Sequence, residues 1–198
     1  MPRTAAAYQE IKDARRGSIL DAARNVFARN GLAATRISDI TAEAGVSQGL
    51  LYHYFPDKEA LFTEIVVSAL RETAALTAGV RQSPGSAWQR LHDLCTQMLA
   101  GVVEYPEYPL VILQVYTNAT VPAEARAAVE AYGEQTFRDL VALLQEGQAE
   151  GRVVAGDPVE LALAFTACIQ GVALSRLQAP TPAVPLPGAE TILRLLRA

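Results

Sequence analysis

Residues 31–58, GLAATRISDITAEAGVSQGLLYHYFPDK, constrain this 198-residue chain more than any other stretch, because they set two short helical segments on either side of one glycine. Ile37, Ile40 and Ala44 fall at the spacing that gives a helix one apolar face, whereas Arg36, Ser38, Asp39 and Glu43 fall off it. Such a helix must bury that face against a neighbour. Thr35 or Arg36 opens it, and Thr35 is the better N-cap because its hydroxyl can accept an orphan backbone N–H. Gly45 closes it, since glycine adopts the left-handed conformation cheaply, and Val46 inserts a small apolar plug at the reversal. Ser47 is placed to cap a second helix whose first turn holds Gln48, Gly49 and Leu50. Two helices so joined form a helix-turn-helix, a unit that offers the start of its second helix to the major groove of a duplex.

The residue types on that second helix suit the task. The Gln48 amide can bond bidentately to adenine, and Gly49 lets the backbone approach the groove and leaves room for a thymine methyl. Tyr52, His53 and Tyr54 carry hydroxyl and imidazole groups fitted to phosphate contacts, while Leu51 and Phe55 point inward. The net charge of −4 is unevenly spread. Residues 1–58 hold eight Lys/Arg against six Asp/Glu, and residues 59–198 hold nine against fifteen. Arg3, Lys12, Arg15 and Arg16 are candidates for the phosphate backbone, and Arg24 and Arg29 read as a solvated helix face.

The run TRISDITAEAGVSQGLLYHYFPDKEALF, with the preceding SILDAARNVFARNGLAAT, resembles the N-terminal signature of the TetR family of bacterial transcriptional repressors. The resemblance extends from about Ile19 to Leu61 and rests on the joint spacing of Phe27, Gly31, Thr35, Ile40, Gly45, Val46, Tyr52, Phe55 and Lys58. It implies that Gln48, Gly49, Tyr52, His53 and Lys58 contact operator DNA, and that Thr35, Ser38 and Ser47 flank them; Arg36 and Tyr54 complete the candidate interface. Ser38 departs from relatives that carry a long basic side chain there. The resemblance also implies a homodimer on a palindromic operator, released by a small-molecule effector that prefers a different spacing of the two recognition helices.

The rest of the chain reads as all-α: a helix-turn-helix domain over residues 1–58 and a C-terminal helical bundle over residues 59–198 for ligand binding and dimerisation. A first helix from about residue 8 to Asn30 precedes Gly31. Further helices are expected over 59–80, preceded by Pro56, over 87–104, over 110–119, over 123–150, over 159–178 and over the last ten residues. Trp88, Leu91, His92, Cys95, Met98, Leu113, Tyr116, Phe137, Phe165 and Ile169 are candidates to line a cavity, with His92, Tyr116 and Asn118 its polar members. The scarcity of fixed charge in these helices points to an uncharged or lipophilic effector. Leu161, Ala164, Phe165, Cys168, Gly171 and Val172 are the candidate dimer seam, sharing Phe165 with the cavity.

Other readings are weaker. Cys95 and Cys168 sit in apolar runs without metal-ligand or disulfide spacing, which suits buried thiols, a reducing cytoplasm and no cofactor. The N-terminus lacks an apolar core of the signal-peptide kind, and no apolar run approaches the roughly 18 residues of a membrane span, so a soluble cytoplasmic protein with no membrane partner is expected. His92 and Cys95, three residues apart, suggest a base and a nucleophile, but no third orienting group accompanies them. An effector-independent DNA-binding regulator is the closer alternative.

Overall fold

Glycines and capping side chains mark the ends of most helices. In the computed structural model, which describes residues 5–178 and 185–198, the order is α1 (Ala5–Ala34), α2 (Ile37–Ala44), α3 (Gln48–Tyr54), α4 (Lys58–Gln82), α5 (Ala87–Glu104), α6 (Tyr108–Thr117), α7 (Ala123–Ala149), α8 (Pro158–Gln178) and α9 (Ala189–Leu193). The protein is all-α. Among the described residues the strand-like pairing is one antiparallel bridge, Val153 to Arg197. The helix expected over the last ten residues stops at Leu193, because the chain then turns so that the Val154 N–H donates to the Leu196 carbonyl and the Ala198 N–H to the Arg152 carbonyl.

The chain forms two compact units. The first comprises residues 1–68 and 110–128, the second 69–109 and 129–198. The boundary expected between 58 and 59 therefore falls further along α4, and the first unit also takes in most of α6. It does so because Val111 and Val115 are buried and because the Gln114 side chain reaches backbone groups of α1. In this unit Ile19, Ala23, Val26 and Phe27 of α1 are buried along one stripe, and the Phe27 and Phe62 rings meet edge to face at 5.3 Å.

The second unit has its own core, built from Leu91, Leu94 and Cys95 of α5, Leu140, Leu143 and Leu144 of α7, Ala162, Phe165 and Ile169 of α8, and Ile192, Leu193 and Leu196 near the C-terminus. Polar contacts register its helices. Arg81 pairs with the buried Asp139 at 3.0 Å, Arg90 with Glu146 at 2.7 Å, and the Glu150 carboxylate accepts from the Ala87 N–H at the start of α5. Gly147 has no room for a side chain, since a Cβ there would lie 2.5 Å from Val153 Cγ2.

One expectation about membranes is corrected here. The stretch Pro158–Arg176, with mean hydropathy 1.5, is long and apolar enough by length and composition to pass for a membrane span. Ala162, Phe165, Ile169 and Ala173 account for one face of it, covered by the second unit's core, while 28% of the stretch is buried in all.

Candidate nucleic-acid interface

Local chemistry fixes the shape of the α2–turn–α3 segment. The Arg36 N–H donates to the Asp39 carboxylate at 3.1 Å, so Arg36 rather than Thr35 occupies the cap position of α2. Gly45 adopts φ 64°, ψ 36°, and the Val46 N–H donates to the Thr41 carbonyl at 3.0 Å, which reverses the chain as foreseen. Ser47 Oγ accepts from the Leu50 N–H at 3.2 Å and starts α3.

That cap sets which side of α3 faces out. Leu51 is fully buried and Phe55 nearly so, while Gln48, Gly49, Tyr52 and His53 are exposed, Tyr52 by 50%. Tyr54 is half-buried, its ring edge to face with His53 at 5.4 Å. Arg36 and Ser38 are exposed on α2, and Lys12 and Arg15 on α1. The result is a short helix, anchored by two large apolar side chains, that holds an amide, a bare backbone position and aromatic hydrogen-bonding groups toward solvent.

The family model for bacterial regulatory proteins of the tetR family matches residues 19–65, the α1 stripe through the start of α4. Over these residues the chain is similar to the TetR family. Among its relatives, the HTH-type transcriptional repressor KstR2 of Mycobacterium tuberculosis is 29% identical over 139 residues, covering 70% of this chain and 69% of that one. The crystal structure of a TetR-family regulator from Agrobacterium tumefaciens superposes with a TM-score of 0.75 at 21% identity, covering 94% of this chain and 99% of that one. The structure of FadR from Bacillus subtilis in complex with stearoyl-CoA gives 0.69 at 20% identity, covering 90% and 95%. These structural likenesses concern the fold.

Two candidate DNA contacts sit differently from expectation. Thr35 is 2% exposed and its hydroxyl donates to the Gly31 carbonyl at 2.7 Å, so it tightens the end of α1 and faces away from solvent. Lys58 Nζ donates to the carbonyls of Leu32, Ala33 and Thr35 at 2.9, 3.1 and 2.9 Å. Its three ammonium protons are thus committed to the orphan carbonyls at the α1 terminus, where a cation is favoured, and it serves as a helix cap instead of a phosphate contact. Arg16 stacks over the Phe55 ring at 5.1 Å and pairs with Glu64 at 3.0 Å. Arg24 and Arg29 are not a merely solvated face: Arg24 pairs with Asp21, and Arg29 bridges α1 to α2 through Glu43. The hydrogen bond from Arg29 holds the Glu43 carboxyl below its usual range. Arg3 lies outside the described residues.

The candidate cavity residues do not form one group. Leu91, Cys95, Phe165 and Ile169 are sealed in the second unit's core, with Trp88, Met98 and Phe137 packed against it. His92 is half-buried, its Nε2 3.5 Å from Glu190. Leu113 and Tyr116 belong to the first unit and are exposed, Tyr116 by 68%, because Val111 and Val115 take the buried face of α6. Asn118 is spent on a turn, accepting from the Thr120 N–H and hydroxyl. An open groove of about 430 Å³ lies elsewhere, lined by Cys168, Gly171, Val172 and Arg176 of α8 and by Pro185, Leu186 and Ile192 among others.

The dimer-seam candidates divide as well. Phe165 faces the core, and Leu161, Cys168 and Val172 pack against it, so these four lie on the covered side. Ala164 and Gly171 are exposed and share the opposite side with Leu163, Ala167 and Leu174, Leu163 being 57% exposed. Leu163, Ala167, Gly171 and Leu174 follow one another at spacings of four, four and three, a continuous apolar stripe along α8.

Proposed function

We propose that this chain is a TetR-family repressor that binds a palindromic operator as a homodimer and is released by a small apolar effector. The observation that carries the reading is the exposed face of α3, with Gln48 and Gly49 on its first turn and Leu51 and Phe55 buried beneath. Gln48 and Gly49 read base edges; Tyr52, His53 and Tyr54, with Arg36 and Ser38 of α2, hold phosphates. The Leu163–Leu174 stripe supports self-association, because a run of exposed apolar side chains on one helix is uncommon on a monomer. Two recognition helices set about 34–36 Å apart then enter successive major grooves. Such a protein works in the cytoplasm.

The apolar core helices α5 and α8 support this effector class, and the stearoyl-CoA in the structure of FadR from Bacillus subtilis is a ligand with a long apolar part. The packed core around Leu91 and Phe165 favours a second reading, a regulator whose body only dimerises. Selection of bound duplexes from random DNA, followed by a screen of lipophilic compounds for release, tests both. A palindrome and at least one releasing compound are expected; a palindrome that no compound releases favours the second reading, and selection of no common sequence contradicts both.

A further inference from the structure

The rod of α1 is interrupted at one residue. Gly31 stands at φ 74°, ψ 160°, which turns the following peptide off the helix axis and leaves the Leu32 N–H pointing out of the ladder. A side chain 82 residues away satisfies it: Gln114 Oε1 accepts from the Leu32 N–H at 2.8 Å. The same amide's Nε2 donates to the Phe27 carbonyl at 2.9 Å, and also approaches the Leu110 carbonyl at 3.3 Å. One planar amide therefore binds a donor after the break and an acceptor before it, doing what a peptide unit would do in an unbroken helix. It lies over Gly31, where a Cβ would stand 3.7 Å from Gln114 Oε1. The carbonyls just past the break, of Leu32, Ala33 and Thr35, are held separately by Lys58.

Everything that leads to the recognition helix leaves through this corner. Residues 32–36, the last turn of α1 and the two residues after it, lead from the α1 stripe embedded in the unit's core to α2, and α2 passes through Gly45 into α3. We infer that Gln114 is a positioning residue for DNA recognition, clamping both sides of the break at Gly31 and so fixing the angle at which α2 and α3 leave α1. The inference rests on the DNA-binding reading of α3 and adds a residue that touches no DNA.

The test compares the full-length wild type with Gln114→Leu, which keeps the bulk and loses both bonds, and Gln114→Glu, which keeps the acceptor for Leu32 and loses the donor to Phe27. Hydrogen exchange at residues 28–36 and affinity for the selected duplex are measured well below the melting temperature, at several salt concentrations. In Gln114→Leu, exchange at Leu32 should quicken by about tenfold, and duplex affinity should fall by about tenfold with the salt slope unchanged, since no phosphate contact is lost. Gln114→Glu should lie between. Unchanged exchange at Leu32 would show that the clamp does not hold in solution, and a lowered melting temperature with affinity intact would reduce Gln114 to a structural role; either overturns the inference. A wild type that binds no duplex would remove the DNA-binding reading and Gln114's part in it, whereas the exchange result would still report on the clamp.

Discussion

Gln48 and Lys58 are both polar, both near the recognition helix, and the structure gives them opposite duties. Gln48 is exposed at the start of α3 with nothing to do inside the protein, so Gln48→Ala should leave stability unchanged. It should relax sequence preference at one position per half-site by about 1–3 kcal/mol, measured as the affinity difference between the selected duplex and single-base variants. Equal loss on every duplex would refute the base-reading role. Lys58 donates three hydrogen bonds to backbone carbonyls, so Lys58→Met should destabilise the fold by about 2 kcal/mol in urea titration. The salt dependence of the remaining DNA binding should keep its slope. A flattened slope with unchanged stability would return Lys58 to the phosphates.

Among the elements, α5 carries a titration that follows from packing alone. Burial, with a smaller contribution from Cys168, pushes the Cys95 thiol from its ordinary 9.0 up to about 11. The folded protein thus favours the neutral thiol; the stability this confers is complete below pH 9 and is lost as pH rises through about 11. The stability difference between wild type and Cys95→Ala should shrink across that window, and iodoacetamide at pH 8 should label Cys168, on the open groove, before Cys95. Faster labelling of Cys95 would contradict the buried thiol, and its high pKa also argues against the nucleophile suggested by its spacing from His92.

How far the elements could be read in advance depended on how local their causes are. The α2–turn–α3 unit was legible because Gly45 and Ser47 act within a few residues, and the break at Gly31 was legible for the same reason. Its clamp was not, because Gln114 is 82 residues from Leu32 and looks in sequence like one polar residue in an apolar run. The two faces of α8 were equally hidden. Leu161, Leu163, Ala164 and Phe165 are apolar on all sides, so periodicity could not tell the core face from the free one. Thr35 and Lys58 misled for a related reason: their side chains suit both backbone caps and phosphates, and only the position of the α1 terminus decides.

For the whole molecule, the central claim is geometric: two copies of α3, held by a two-fold dimer, enter successive major grooves of one duplex. The exposed stripe from Leu163 to Leu174 is where the copies would join, and Lys12, Arg15 and Arg36 are exposed on α1 and α2. Fluorescence anisotropy on the selected palindrome measures the claim most directly when the half-site spacing is varied. Two protomers should bind per palindrome, insertion of about five base pairs, half a helical turn, should abolish the tight complex, and insertion of about ten should partly restore it. Affinity indifferent to spacing, or equal on scrambled duplexes, would contradict the account.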